Sequence, residues 1–251
     1  MKLSDITPTW LRDTFLFGID LIDQNGNPIS DDSLTFYINS GIDLAEKLLD
    51  IQIRFVDDIT EKHDSRYNEN LEGWGFVQLY KKPVDEVYKV SLEFGNHAVF
   101  EFPIEWVEVQ KLRGQIQVIP YLGKSSIPFM TTQGGYMYPR IARLSYIPQI
   151  IVVNYSAGYK PDDDIPDLLA RLIGMLSTMA VLDVFGDIVL GMPALSGYTI
   201  SMDGLSQSVQ TTNSATSAAY RGRIESYNKQ IKDYIIPALR TYYQGVRISS
   251  P

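Results

Sequence analysis

Two histidines, His63 and His97, are the only side chains in the 251-residue chain that could act as the base of a Ser–His–Asp site. Neither sits in a Gly-x-Ser-x-Gly or a His-Glu-x-x-His context. His97 follows Gly95-Asn96 at an expected turn, and His63 lies in the charged stretch Asp57 to Glu69, so both read as exposed loop residues. Cysteine is absent, which excludes thiol catalysis, zinc-thiolate and iron–sulfur sites, and a disulfide scaffold. Asp23-Gln24-Asn25-Gly26-Asn27 carries the oxygens of a calcium loop, but its glycine is misplaced and no later bidentate Glu fits, so a turn is expected. Asp162-Asp163-Asp164 reads as the acidic start of a helix or as a cation site. Gly73-Trp74-Gly75 lacks the third glycine of a dinucleotide fingerprint, and no Gly-Lys-Ser/Thr loop exists. Glu105 and Glu108 could serve a glycosidase, but strand spacing places them on opposite faces. The expectation is a non-enzyme with no catalytic residue, no cofactor and no metal.

The elements around these residues define a mixed chain. Residues 1–30 look irregular. Asp31 and Asp32 supply N-cap and first-turn carboxylates for a helix over 32–50, whose apolar face is Leu34, Tyr37, Ile38, Ile42, Ala45, Leu48 and Leu49. Alternating segments then predict strands at 74–80, 87–94, 99–102, 105–109, 115–119 and 149–154, with Gly114 offering a positive φ in the turn before Gln115. Residues 122–148 read as a long loop or arm. Pro166 fits the first turn of a helix over roughly 166–183, the most apolar in the chain. Its uncharged stretch, Leu172 to Leu182, is shorter than the roughly 20 residues of a membrane span. Met1-Lys2-Leu3-Ser4-Asp5 does not read as a secretory signal.

Tyr198 to Met202, a turn at Asp203-Gly204, and Leu205 to Gln210 read as a hairpin arm with few charges. Such a segment has too few apolar side chains for a core of its own and is expected to fold against a neighbour. A last helix carries Tyr220, Ile224, Tyr227, Ile231, Tyr234, Ile235, Leu239 and Tyr242 on one side, with Pro237 kinking it or starting a second segment. The fold class is α+β: a helical bundle with an inserted β-rich subdomain and extended arms. The divisions are an N-terminal segment with the first bundle helix at 1–70, a β-rich insertion at 71–155, a central buried helix at 156–193, the hairpin arm at 194–217, and a C-terminal helix with basic tail at 218–251.

Charge is uneven. Residues 1–73 carry a net −9, residues 74–217 a net −3 and residues 218–251 a net +4. An acidic chain is poorly made for gripping DNA phosphates, although it could enclose DNA. The basic tail either favours an acidic partner or forms a solvated helix face. Sixteen tyrosines include Tyr121, Tyr136, Tyr138, Tyr146, Tyr155 and Tyr159 outside the expected core pattern. They suit protein interfaces, and equally the aromatics of a β-rich fold.

The helix motif Asp43-Leu44-Ala45-Glu46-Lys47-Leu48-Leu49-Asp50, the passage Tyr155-Ser156-Ala157-Gly158-Tyr159 leading to Ile165-Pro166-Asp167-Leu168-Leu169, and the segment Ile200 to Ser208 resemble the head–tail connector (adaptor, or head-completion) proteins of tailed bacteriophages. The resemblance covers about 31–50 and 149–245 and leaves the β unit at 70–145 as an insertion. It implies a virion structural protein at the neck, between capsid portal and tail, made in the host bacterial cytoplasm. Such proteins form a homo-oligomeric ring, commonly a dodecamer, that docks under the portal, extends the DNA channel and links the capsid to downstream neck and tail proteins. DNA passes the lumen without specific binding, and no membrane is involved. Carried onto this chain, the resemblance assigns portal docking to Arg240, Tyr242, Tyr243, Arg247 and Ile248. It assigns contact with a neighbouring subunit or tail component to Tyr198, Ile200, Met202, Asp203, Leu205 and Val209. The alternatives are another neck or tail ring component (stopper, tail-completion or baseplate), or a β-rich receptor- or glycan-binding module.

Overall fold

The computed structural model describes residues 1–22, 25–66, 77–95, 97–118, 146–190, 197–202, 205–210 and 220–244. The chain forms an α+β fold of two compact units. One comprises Met1–Asp50 with Pro161–Arg240, and the other Ile51–Lys160 with Thr241–Pro251.

The first unit is helical. Within the segment expected to be irregular, helix α1 spans Pro8–Thr14. Thr7 Oγ1 accepts the Trp10 amide at 3.2 Å and Pro8 supplies the preset φ of a first turn. Helix α2 spans Asp31–Leu49. Its cap is Ser30, whose Oγ accepts the Ser33 amide at 3.1 Å, so Asp31 and Asp32 serve the first turn rather than the cap. Leu34, Ile38, Ile42, Ala45 and Leu49 are its buried stripe.

That stripe packs on helix α3, Asp167–Leu190, which runs seven residues past the expected end at 183. Pro166 lies just before α3 and its carbonyl accepts the amides of Leu169 and Ala170 at 2.8 and 3.1 Å. Among the described residues, Asp167–Gly186 is long and apolar enough to cross a membrane by length and composition, contrary to the shorter stretch read from sequence. It is 67% buried inside the protein, as the core helix of a bundle is. The acidic loop before α3 is tied to the chain's first residues: Lys2 Nζ lies 3.6 Å from Asp162, and the Ser4 amide donates to Pro161 at 3.0 Å.

A two-stranded sheet of β8 (Gly197–Met202) and β9 (Leu205–Gln210) follows. Helix α4, Arg221–Gln230, then passes through a π-helical turn at Ile231–Ile235 into helix α5, Ile236–Gln244. The widened turn ends two residues before Pro237, which has no N–H for the α-helical ladder and whose ring crowds the preceding turn.

The second unit is β-rich and starts at Ile51, not at 71. The difference is β1, Val56–Arg66, a strand absent from the sequence reading. An antiparallel sheet runs β1-β7-β3-β4, with β3 at Val84–Phe94, β4 at His97–Glu101 and β7 at Tyr146–Ala157. A smaller sheet runs β2-β6-β5, with β2 at Val77–Gln78, β5 at Val107–Gln110 and β6 at Gln115–Val118. Gly114 is left-handed at φ 63, as its turn requires. Val90, Ile116, Ile150, Val153, Tyr155 and Ala157 are fully buried in the core of this unit. The expected loop falls largely on 119–145, and the Trp74–Phe76 end of the first expected strand on 67–76; both lie outside the described residues.

The α2–α3 crossing depends on Gly41. A Cβ there would stand 2.3 Å from Ser177 Oγ and 3.1 Å from the Ile173 carbonyl oxygen. Gly41→Ala is therefore expected to cost about 1–3 kcal/mol by forcing the helices apart. A fall in the thermal midpoint, with the helical circular dichroism of the folded state unchanged, is the measurement.

Candidate interaction surfaces and a buried polar cluster

Strand alternation turns Glu61 and His63 of β1 inward, opposite Val153 and Ile151 of β7, while Thr60, Lys62 and Asp64 face out. His63 is therefore a buried strand residue, not an exposed loop residue. Its Nε2 lies 3.1 Å from Glu61 Oε2 and its ring stacks on Tyr80 at 5.0 Å between centroids. The same Glu61 oxygen accepts the Tyr80 amide at 3.0 Å, and Glu61 Oε1 accepts the Tyr155 hydroxyl. The Tyr155 oxygen in turn accepts the Lys81 amide at 3.1 Å. Both carboxylate oxygens and the hydroxyl are thus hydrogen bonded inside the cluster, which pins β1, β7 and the 80–81 backbone together.

Burial alone would raise the Glu61 carboxyl, but hydrogen bonds from His63, Tyr155 and the Tyr80 amide outweigh it and leave the group below its ordinary value. Burial, with the Glu61 carboxylate, pushes the Tyr155 hydroxyl well above the usual tyrosine range. Sequence reasoning placed Tyr155 outside the core. The structure corrects that, because its ring is fully buried.

His97 is exposed at the start of β4. Glu105 sits in a 3₁₀ turn and Glu108 in β5, both exposed. Asp23 lies outside the described residues, and Gly26 at φ 83 makes the expected turn. Among the described residues no group of three or more His, Asp or Glu could hold a metal ion.

The residues assigned to docking fall into three sets. Arg240 is exposed, and its Nη2 donates to the Leu48 carbonyl at 3.0 Å, where a cation meets the negative end of α2. Tyr243 is fully buried, with its hydroxyl 2.8 Å from that of Tyr159. It is a core residue of this chain, so its ring is not part of an exposed docking face. Tyr242 is 48% exposed, edge-on to Tyr243 at 5.0 Å. Arg247 and Ile248 lie outside the described residues.

In the hairpin, position Tyr198 pairs with Val209, Ile200 with Gln207 and Met202 with Leu205, so the five assigned strand positions share one face of the ladder. Asp203 lies outside the described residues.

Two exposed aromatics were missed by the sequence reading. Phe17 is 81% and Phe36 69% exposed. Phe17 borders a half-open groove of about 700 Å³ in the helical unit, lined also by Arg12, Leu16, Asp20, Ile22 and Asp31. Phe36 lies off the Leu34/Ile38 stripe of α2, which was the available signal.

No known family model matches the sequence, and no curated protein is significantly similar to it. Among solved structures, the "neck of empty GTA particle computed with C6 symmetry" is similar over 70% of this chain and 77% of its own. The identity is 17% and the TM-score 0.39.

Removing the Tyr155 hydroxyl takes one donor from a buried carboxylate. Tyr155→Phe is expected to destabilise the β unit by about 1–3 kcal/mol. A depressed folded-state pKa contributes stability that is present above the unfolded value and lost as pH falls through the folded value. Stability of the natural chain should therefore drop below about pH 4.5, the ordinary value for the group. Glu61→Gln should flatten that part of a pH series of chemical denaturation curves.

Proposed function

We propose that the chain is a phage virion structural protein, a ring-forming head–tail adaptor without enzymatic activity. In this reading a dodecamer docks under the portal at the neck and extends the DNA channel toward the tail. The observation that carries it is the hairpin. Among the described residues, β8 and β9 form a sheet of their own, hydrogen bonded to neither of the larger sheets. A two-stranded hairpin is marginally stable in water and becomes stable when further strands or a packed face are added. A chain that builds such an arm in addition to two well-packed units is made to be completed by other subunits.

Two further features support the reading. The passage Tyr155–Tyr159 and Ile165–Leu169, which resembles the connector proteins in sequence, runs from a strand into an apolar helix, the order that resemblance implies. The net charge of −8 suits a channel in which DNA slides, since like charges disfavour adhesion.

The test is co-assembly. The purified chain is mixed with portal rings of the same particle and viewed by electron microscopy, with hydrogen exchange followed on the free and assembled forms. The expected result is a ring of this chain on the portal, with hairpin amides that exchange fast in the free chain and slowly in the assembly. A chain that stays monomeric with portal present, its hairpin already protected, would overturn the proposal.

A further inference from the structure

The geometry points to hairpins of neighbouring copies pairing edge to edge, β8 of one chain along β9 of the next, so that the arms close into a single β ring. This rests on the reading of the chain as a ring-forming protein, and names the occupant of the hairpin's outer edges, which pair with no other strand among the described residues, as a second copy of this chain.

The contrast with the edge strands of the four-stranded sheet carries the inference. An unpaired strand edge is a template for association, and proteins guard such edges with charge, bulges or short length. β1 is guarded twice over. It carries Asp57, Asp58, Lys62 and Asp64, and its ladder with β7 is broken between Val56 and Ile59 and again between His63 and Ser65. β4 is five residues long with a register shift against β3, and its Glu101 pairs with Lys89 at 3.1 Å. β8 and β9 have no such device. Each is six residues long, their register is unbroken from Gly197↔Gln210 to Met202↔Leu205, and neither contains Asp, Glu, Lys, Arg or Pro.

Electrostatics then selects the partner. Identical strands meeting each other bring like charges together wherever they carry any, which is destabilising. Two β1 edges would meet in that way, whereas two hairpins meet without a charge on any strand position. The register agrees. Positions Tyr198, Ile200 and Met202 share one face with Val209, Gln207 and Leu205, a face apolar but for Gln207, and Gly197, Thr199 and Ser201 share the other with Gln210, Ser208 and Ser206. Laying hairpins side by side joins apolar face to apolar face and polar to polar, and makes sheets of more than two strands, the condition for independent stability. Pairing β8 with a neighbour's β9 is heterologous, so repetition by rotation closes a ring, whereas β8 with β8 stops at a dimer. The polar face is then a continuous band of hydroxyl, amide and glycine positions without charge, which suits the lumen side of a channel for a sliding polyanion.

The absence of cysteine makes the test clean. Full-length Thr199→Cys and Ser208→Cys chains, each with a single thiol, are mixed in equal amounts at assembling concentration and oxidised. Every disulfide then joins two copies. Mixing Ser201→Cys with Ser208→Cys, or Thr199→Cys with Ser206→Cys, covers a two-residue slip in register. The expected result is a mixed disulfide joining the Thr199→Cys chain to the Ser208→Cys chain, or its slipped equivalent, in excess of either homodimer. Thr199→Lys, which puts a charge on every β8 edge, should raise the concentration needed for rings by about tenfold while leaving the thermal midpoint of the free chain unchanged. Rings seen by light scattering without crosslinks between hairpins, or crosslinks confined to homodimers of the Thr199→Cys chain, overturn this inference and leave the ring reading standing. A chain that remains monomeric with portal present overturns both.

Discussion

Strand β7 is hydrogen bonded on both edges, to β1 along most of Val56–Arg66 and to β3 from Val84 to Leu92. Buried backbone N–H and C=O groups must find partners, so a strand at the centre of a sheet settles that demand for itself and hands it to the strands outside. In the four-stranded sheet the demand ends at β1 and β4, where bulges, charged side chains and short length close the edge to further pairing. In the hairpin, among the described residues, it does not end. The same accounting that makes the β unit self-contained leaves β8 and β9 with edges that only another chain or another strand can use.

The parts of the fold legible in the sequence are those where one local rule acts alone. α2 is readable from its apolar spacing, α3 from its continuous apolar run after Pro166, and the hairpin from two alternating segments about Asp203-Gly204. β1 is unreadable because its inward positions are Glu61 and His63. Alternation that places polar groups inside looks like a charged loop until the partner at Tyr155, ninety-four residues away in sequence, is known. Tyr243 fails for the same reason, since its burial depends on Tyr159, eighty-four residues upstream. α1 is seven residues long with Leu11 as its one buried side chain, too little periodicity to read, although Thr7-Pro8 marks its start.

The passage that carries the family resemblance has a structural explanation at almost every position. Tyr155 donates to Glu61, Ala157 is fully buried, and Tyr159 bonds Tyr243. Gly158 holds φ +95, and a Cβ on it would stand 2.3 Å from the Arg54 carbonyl oxygen. These residues are required by the packing of the β unit. The resemblance at this passage therefore speaks to architecture, and the residues that meet partners have to be sought where packing imposes nothing. Arg240 illustrates the point from the other side: a basic residue on an exposed helix looks available, yet its guanidinium already satisfies a carbonyl at the end of α2.

An unguarded hairpin is a liability in any protein that spends its life as a monomer, because the edge that accepts the right strand accepts others too. A single Lys in β8 or β9 would remove the hazard. The chain is not short of charge, with 52 Asp, Glu, Lys and Arg residues, yet it places none in either strand. Charge is withheld from an edge when the edge has a use that charge would spoil. In the proposed reading, that is the condition of a segment whose finished state is inside an assembly, and it would tie a local choice of side chains to the proposed architectural role.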